Sequence, residues 1–301
     1  MRRWGPIVFA AGMLWMWCNR RRRNAALPLT NKVVIVTGAS AGIGRALAQA
    51  LAAEGAHLVL VARREALLAE LAHDLESAGH QVLAVTADIT EPDSVQAVVE
   101  KAVTRFGRID VLINNAGTVV SGAFSDYPAA SIRRTVEVNV LGTLTMTQPV
   151  VRVMHEQKYG HIVNIASVAG ALPNPGFSVY GATKAALLYI SDTLAQELAD
   201  DNIFVTQVLP GWVATDMLGH MAEADMRATG LVGPINPINT PEQLAQDVIK
   251  AIHERRERII SAGLLFKVAI WSYRHFPVIG RAAASLFIDH KRVVEITKRH
   301  E

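Results

Sequence analysis

The sequence predicts an α/β protein built on a doubly wound parallel sheet, and three observations lead to this fold class. From Lys32 onward, short apolar segments rich in β-branched residues alternate with amphipathic helical segments, which is the order expected when helices cover both faces of a parallel sheet. A glycine turn joins the first apolar segment to the first helical one. The chain has 301 residues, of which 50% are hydrophobic, so it is long enough for one core of roughly 250 residues with additional segments at both ends.

The predicted strands are short and apolar, and helical segments separate them. They cover residues 33–37, 57–62, 81–86, 109–113, 161–166, 204–209 and 258–261. The helices are predicted at 45–53, 65–78, 91–106, 130–159, 178–200 and 242–256. Thr240 and Pro241 suit the N-cap and the first position of the last of these helices. No internal repeat interrupts the order, so we expect one catalytic domain over residues 31–261.

The turn after the first strand indicates a binding site for a dinucleotide. Glycine allows a tight turn and a close approach of the backbone to a diphosphate, while the first N–H groups of the helix face the negative charge. Such a turn can also serve only the packing of strand against helix. We expect the diphosphate to lie against Gly38, Ser40, Ala41, Gly42, Ile43 and Gly44.

The end of the second predicted strand indicates which dinucleotide binds. An acidic residue about 20 positions beyond the glycine turn commonly binds the ribose 2′-hydroxyl and repels a 2′-phosphate. This chain has Ala62 there, followed by Arg63 and Arg64, and a guanidinium suits a phosphate. The sequence therefore favours NADP(H) over NAD(H); in the alternative, the two arginines only solvate the start of the next helix.

Candidate catalytic residues follow the fifth predicted strand. Tyr180 and Lys184 are four residues apart, so they lie on one face of a helix. An isolated tyrosine titrates near pH 10, and we expect the neighbouring ammonium to lower the pKa of Tyr180 towards the range of acid–base catalysis. Ser167 lies at a strand end, where ligands bind in such sheets. A Tyr-x-x-x-Lys pair by itself is more often a pair on a helix surface.

Together these motifs resemble the short-chain dehydrogenase/reductase family in its compact single-domain form, over residues 31–261. The resemblance implies a Rossmann fold and hydride transfer between a nicotinamide and the carbon of an alcohol or carbonyl. Besides the glycine turn and the Tyr180–Lys184 pair, the motifs that carry it are Asp88, Asn114-Asn115-Ala116-Gly117, Asn139, Ser167 and Pro210-Gly211-Trp212-Val213-Ala214-Thr215.

The resemblance also implies individual roles. Asp88 would contact the adenine ring, Asn115 would stabilise the sheet beside the cofactor, and Asn139 would hold a water in a proton relay through Lys184. In the reductive direction Tyr180 would be the proton donor. The implied catalytic set is Asn139, Ser167, Tyr180 and Lys184. The implied cofactor contacts beyond the glycine turn and the arginines are Asp88, Ile89, Asn115, Ala116, Gly117, Tyr180, Lys184, Pro210, Gly211, Val213 and Thr215.

Both ends of the chain carry apolar segments that point to a membrane. Residues 4–18 are uncharged, and Arg20 to Arg23 follow them, which favours a retained anchor at residues 1–24 over a cleaved signal peptide. The catalytic domain would then face the cytoplasm; the alternative is a soluble cytoplasmic protein. Residues 262–301 combine apolar, aromatic and basic side chains, as in helices that lie in a membrane interface. A dimer or lid contact is the alternative for this extension.

The segment from Gly211 to Asn239 resembles the family's substrate lid, and its side chains suit an apolar substrate. The lid residues in question are Met217, Leu218, Met221, Met226 and Leu231. We therefore expect a lipophilic substrate of steroid, retinoid or long-chain acyl type, with a reductase of small soluble carbonyls as one alternative and a non-catalytic membrane sensor or scaffold as another. A homodimer or homotetramer is expected from the resemblance alone.

Composition excludes several other classes. The single cysteine, Cys18, allows no internal disulfide, and no Cys/His cluster has the spacing of a zinc site; we expect no metal. The net charge is only +3, and no basic face with interleaved aromatic residues indicates nucleic-acid binding.

Overall fold

The strands are short and lie in the order that the apolar segments predict. They are β1 (Val33–Thr37), β2 (His57–Ala62), β3 (Val82–Thr86), β4 (Val111–Asn114), β5 (Gly160–Ile165), β6 (Ile203–Pro210) and β7 (Arg258–Ser261). The structure is a computed structural model and describes residues 27–215, 232, 237–276 and 278. Within these residues the seven strands form one parallel sheet in the order β3-β2-β1-β4-β5-β6-β7.

Helices connect the strands throughout the described part of the chain. They are α1 (Gly42–Ala53), α2 (Glu65–Ser77), α3 (Pro92–Phe106), α4 (Ala129–Val136), α5 (Thr143–Gln157), α6 (Ser178–Glu197), α7 (Pro241–His253) and α8 (Leu264–His275). A π-helical segment, Glu137–Gly142, joins α4 to α5. Short 3₁₀ turns lie at Phe124–Asp126, Val168–Gly170 and Ala199–Asp201.

The core consists of two layers, one on each face of the sheet. Val34 and Val36 of β1 pack into a layer that includes α1, α2 and α7. Val33 and Ile35 pack on the other face against α3 and α5. Because both faces are covered, all five residues of β1 are buried, which explains the continuous apolar run in the sequence. The predicted doubly wound parallel sheet is confirmed.

Some boundaries differ from the prediction for local reasons. The helical region predicted at 130–159 is divided by the π-helical segment and ends at Gln157, because Lys158 adopts a left-handed conformation with φ 53°. The fourth strand begins at Val111 and not at 109. Asp110, just before it, is fully buried and accepts hydrogen bonds from the Val33 amide (3.0 Å) and the Arg108 side chain.

Different parts of the chain lie at the amino and the carboxyl ends of the strands. β1 lies between β2 and β4, and the chain continues from β1 to one side of the sheet and from β4 to the other. Ligands bind at such a switch point. At the amino edge, the Leu27 amide donates to the His253 carbonyl at 3.0 Å. At the carboxyl edge, α8 begins three residues after β7 ends. The predicted anchor at residues 1–24 lies outside the described residues.

Candidate active site

The glycine turn after β1 is packed so tightly that one of its glycines has no room for a side chain. A Cβ atom on Gly44 would lie 2.2 Å from the Gly38 carbonyl oxygen and 2.6 Å from Asn115 Nδ2. Gly38 and Gly42 have φ angles of 66° and 54°, a left-handed conformation that glycine adopts without strain. The turn and the start of α1 therefore present a glycine backbone at the carboxyl edge, which fits the diphosphate of a dinucleotide.

Residues after β4 fix this turn from the neighbouring strand. Asn115 Nδ2 donates to the Thr37 carbonyl at 2.9 Å and to the Gly38 carbonyl at 3.3 Å. The amides of Asn115 and Ala116 both donate to Thr37 Oγ1 at 3.0 Å. These bonds join the ends of β1 and β4 at the switch point, which is the place that the resemblance implies for Asn115 and its neighbours.

Both predicted arginines lie at the end of β2, next to the glycine turn. Arg64 Nε donates to Ser40 Oγ at 3.2 Å, and Arg63 Nη1 lies 3.5 Å from Asp88 Oδ2. Both side chains are exposed. A guanidinium and a hydroxyl thus converge beside the turn, in an arrangement that suits a phosphate ester.

Asp88 is held as an anion by neighbours that include a residue the sequence did not indicate. Burial opposes ionisation of its carboxyl, but hydrogen bonds from the Thr90 amide and hydroxyl and from Arg134 outweigh this effect and lower the pKa of Asp88 to about 2. Arg134 belongs to α4 and its Nη2 is 3.0 Å from Asp88 Oδ2. Ile89 follows Asp88 and packs so closely on Gly142 that a Cβ there would lie 2.8 Å from the isoleucine.

Ser167 and Tyr180 come together because the turn after β5 packs directly on α6. A Cβ on Gly170 would lie 2.6 Å from the Lys184 carbonyl carbon, and one on Gly181 would lie 2.9 Å from the Ala169 carbonyl oxygen. Ser167 caps this turn, since its Oγ accepts a hydrogen bond from the Ala169 amide at 3.1 Å. The Ser167 side chain also hydrogen-bonds the Tyr180 phenol. The serine and the tyrosine predicted from the sequence therefore share one site.

The pKa of Tyr180 differs from the expectation. Burial raises it above the usual value, and the hydrogen bond with Ser167 only partly offsets this effect. Lys184 lies on the same helix face, but its Nζ is 5.7 Å from the centre of the Tyr180 ring and donates to the Ile165 carbonyl at 2.8 Å. Burial lowers the pKa of Lys184 to about 8. The expectation that the ammonium lowers the pKa of Tyr180 is wrong for this structure, because burial dominates both groups.

Asn139 lies in the π-helical segment, next to Lys184. Its Oδ1 accepts from the Thr118 amide at 2.8 Å, and its Nδ2 donates to the Thr118 carbonyl at 2.9 Å and to Thr183 Oγ1 at 3.0 Å. A Cβ on Gly117 would meet Asn139 Oδ1 at 3.2 Å and Lys184 Nζ at 3.6 Å. The amide side chain is thus engaged with protein groups, and the place for a small molecule between Asn139 and Lys184 is beside Gly117.

The segment after β6 closes the site from the other side. The Gly211 amide donates to the Ser261 carbonyl at 3.0 Å, which holds this segment to the end of β7 just after Pro210. Val213 pairs with Asn239. Thr215 lies against the glycine turn, since a Cβ on Gly42 would be 3.1 Å from its Cγ2. The predicted lid residues between Met217 and Leu231 lie outside the described residues.

A largely apolar cleft of about 100 Å³ opens next to Ser167 and Tyr180. Its aromatic wall is packed edge to face: the Phe177 ring lies 6.5 Å from Tyr180 and 6.1 Å from Trp212, centre to centre. Sequence reasoning did not single out most of this lining, because the residues come from separate loops and from α8. The additional lining residues are Val119, Ser121, Val168, Ala169, Asn174, Phe177, Gly211, Trp212 and Phe266.

Among the described residues, no His, Cys, Asp and Glu side chains gather in threes as a metal ion would need. In the same part of the chain, every helix is too short or too polar to cross a bilayer.

Comparison with known proteins identifies the family. Residues 32–225 match the family model for short chain dehydrogenases. The chain is 37% identical over 232 residues to the ketoacyl reductase HetN of Nostoc sp., covering 77% of this chain and 79% of that protein. It is 32% identical over 276 residues to dehydrogenase/reductase SDR family member 7B of Mus musculus, covering 88% of this chain and 84% of the relative.

Solved structures with different ligands share the fold. A 7α-hydroxysteroid dehydrogenase bound to NADH and 7-oxo glycochenodeoxycholic acid is similar with a TM-score of 0.73 and 27% identity, covering 78% of this chain and 95% of that one. The L-sorbose reductase of Gluconobacter frateurii, bound to NADPH and L-sorbose, has a TM-score of 0.72 and 31% identity, covering 80% and 99%. With the glycine turn, the serine, the tyrosine and the lysine at one edge of a doubly wound sheet, the chain belongs to the short-chain dehydrogenase/reductase family and is an oxidoreductase that uses a nicotinamide dinucleotide.

Proposed function

We propose that the protein is an NADP(H)-dependent oxidoreductase that interconverts a lipophilic secondary alcohol with its ketone, or a primary alcohol with its aldehyde. The observation that carries this proposal is the placement of the Ser167 and Tyr180 side chains together in the wall of a largely apolar cleft. When bound, the dinucleotide supplies or accepts a hydride. The proton that the substrate oxygen receives in reduction, and the hydrogen bonds to that oxygen, come from side chains of the protein.

The proposed roles follow from the contacts. In reduction, the Tyr180 phenol donates its proton to the substrate oxygen as negative charge develops there, and the Ser167 hydroxyl stabilises that oxygen. Because burial raises the pKa of Tyr180, the phenol keeps its proton at neutral pH, as a proton donor requires. Lys184 is positioned to bind the ribose of the cofactor, and Asn139 to hold a water beside it. Proton replacement on Tyr180 would then run past Gly117, where both side chains converge.

The preference for NADP(H) is supported by charge at the end of β2. Ala62 leaves no carboxylate there to repel a 2′-phosphate, and Arg64 is already hydrogen-bonded to Ser40 of the glycine turn. Asp88 does not cancel this positive charge, because Arg134 shares its carboxylate with Arg63.

The lipophilic substrate is supported by the wall of the cleft. Phe177, Trp212 and Phe266 contribute aromatic surface next to the two hydroxyls, and such surface stabilises apolar substrates. The similar 7α-hydroxysteroid dehydrogenase binds 7-oxo glycochenodeoxycholic acid, which has an apolar steroid skeleton. The similar sorbose reductase acts on a sugar, so a panel of ketones that includes both polar and apolar members is the appropriate screen.

The association with a membrane and with other copies of the chain belongs to the same proposal. Residues 1–24 would anchor the protein with its catalytic domain (31–261) on the cytoplasmic side, and residues 262–301 would add an interfacial contact. Exposed apolar side chains at the start of α5, such as Leu144, favour a homodimer or homotetramer through α5 and α6.

The test of the chemistry is the removal of one hydroxyl. Tyr180→Phe should bind NADPH with nearly unchanged affinity but reduce ketones about 100-fold more slowly, because general acid catalysis contributes on that scale. The measurements are NADPH binding by fluorescence titration and NADPH oxidation by absorbance.

Tyr189→Phe is the matched control, because Tyr189 lies on the same helix and is 77% exposed. It should leave both binding and turnover unchanged. A Tyr180→Phe enzyme that keeps near-normal turnover would refute the assignment. A wild-type protein that binds NADPH but oxidises it with no member of the ketone panel would be a sensor or scaffold.

A further inference from the structure

Helix α8 presents an apolar face to the outside. Leu264, Val268 and Trp271 follow one another at intervals of four and three residues, which places them on one face of the helix. Their exposed fractions are 65%, 54% and 57%. Phe276, just after the helix, is 51% exposed. We call Leu264, Val268 and Trp271 the outer face of α8.

The opposite face of the same helix forms part of the substrate cleft. Phe266 lines the cleft together with Ser167 and Tyr180. Helical geometry places Phe266 about half a turn away from the outer face. A Cβ on Gly211 would lie 3.6 Å from the Phe266 ring, so this side of α8 lies against the segment that follows β6. One helix therefore separates the cleft from the outer face by only its own thickness.

The charges on α8 are all positive. Lys267 and Arg274 are seven residues apart, lie along one border of the outer face and are exposed. Between Gly263 and Phe276 the sequence contains no Asp or Glu. An apolar face bordered by cations matches the surface of a bilayer that contains anionic lipids. A second protein surface would need carboxylates to match both cations.

We propose that the outer face of α8 docks on an anionic phospholipid surface and that substrate enters the cleft from that surface, along the side of the helix that carries Phe266. This inference rests on the proposed lipophilic substrate only for the entry route. The docking itself stands on the exposure and charge of α8.

The docking is tested with a reporter on the outer face. In the full chain, Cys18→Ser removes the natural thiol, and Val268→Cys supplies a single site for an environment-sensitive fluorophore. Leu67→Cys in the same background is the matched control, because Leu67 is an exposed apolar residue of α2. Both proteins are mixed with phosphatidylcholine vesicles with or without phosphatidylserine, each containing a lipid whose acyl chain carries a quencher.

The probe at 268 should be quenched at least about twofold more strongly than the probe at 67, and only with phosphatidylserine present, because interfacial helices insert their apolar face among the acyl chains. Equal quenching at both positions, or none at 268, overturns the proposal. A spectral change at 268 that depends on protein concentration without vesicles assigns the face to a second copy. A probe at 268 that is shielded at every concentration without vesicles assigns it to another segment of this chain.

The entry route has its own readout. Trp271→Glu should lower kcat/KM about tenfold for a long-chain methyl ketone dissolved in the vesicles, since a charge replaces an interfacial aromatic residue. It should leave kcat/KM unchanged for a short, water-soluble methyl ketone. Equal loss on both ketones contradicts the route. If neither ketone is reduced by the wild-type chain, the proposed function fails, and the fluorescence result still decides the docking.

Discussion

Arg64 is the side chain on which the proposed preference for NADP(H) most depends. Its Nε is 3.2 Å from Ser40 Oγ, so it extends from the end of β2 towards the glycine turn. The neighbouring Arg63 is directed to Asp88. Of the two arginines, we therefore expect Arg64 to bind a phosphate on the ribose.

Arg64→Ala should raise the KM for NADPH about tenfold and leave the KM for NADH within about twofold, because only the first carries a phosphate for the guanidinium to bind. Initial rates with both cofactors measure this difference. Arg105→Ala is the control, since Arg105 is a cation at the far end of α3 that bonds Gln81, and it should change neither KM. An equal rise in KM for both cofactors would show that Arg64 stabilises the glycine turn and does not bind the phosphate.

At the scale of single residues, sequence spacing predicted the site residues that lie near one another along the chain. Tyr180 and Lys184 share a helix face because they are four residues apart, and Ser167 is at a strand end. Arg134 and Phe266 could not be found this way, because each reaches the site from an element distant in sequence. The predicted direction of the Tyr180 pKa shift was wrong, because burial depends on packing. The spacing of Tyr180 and Lys184 does not reveal that packing.

The glycine turn is the element on which the cofactor site depends. The side chain of Asn115 donates a hydrogen bond to the Thr37 carbonyl at its start, and Gly38 and Gly44 are in close contact within the turn. Neither contact leaves space for an additional atom.

Gly44→Ala should destabilise the protein by about 3 kcal/mol, because the added methyl group would overlap the Gly38 carbonyl and force the turn apart. NADPH binding should be lost with it. Urea unfolding and fluorescence titration measure the two effects. Gly79→Ala is the comparison: its Cβ would meet nothing within 4 Å, so only the strain of its positive φ remains, at about 1 kcal/mol. Equal losses of stability in both variants would mean that the glycine turn accommodates the added methyl group without strain.

Helices and strands themselves were largely predictable, since the alternation of apolar strands and amphipathic helices is strong from Lys32 onward. The π-helical segment was not predictable, because Glu137–Gly142 is part of a continuous helical pattern in the sequence. It matters to the site, since it contains Asn139 and widens the helix where that side chain turns towards Thr118 and Thr183.

On the scale of the whole molecule, a buried histidine links stability to pH. His161 of β5 is 1% exposed, and its Nε2 is 2.8 Å from Thr206 Oγ1 on β6. Burial, helped by the positive charge of Arg255, lowers the pKa of His161 from 6.5 to about 3. Between these values the unfolded chain binds a proton that the folded chain does not, so the free energy of unfolding falls as the pH drops from 6.5 towards 3.

His161→Gln should therefore lose less stability than the wild type between about pH 7.5 and about pH 5, two values that bracket the ordinary pKa of histidine. The measurement is the free energy of urea unfolding at both pH values. His73→Gln serves as the control, because His73 is exposed on α2, and it should show the pH dependence of the wild type. A His161→Gln protein with unchanged pH dependence would exclude the buried imidazole as the cause.

The order of strands across the sheet is a further property that the sequence did not provide. The alternation of elements predicts a parallel sheet, but the neighbours of β1 are decided by long-range pairing, such as Val34 with both Leu58 and Val111. This order creates the switch point on which the whole site is built.

The positions of Leu27 and α8 carry one more consequence. Leu27 is hydrogen-bonded to His253 at the amino ends of the strands. Helix α8 starts at their carboxyl ends, roughly 20 Å away along the strands. If residues 1–24 anchor the chain as proposed, this anchor and the outer face of α8 would meet one flat bilayer most directly with the strands parallel to the lipid plane.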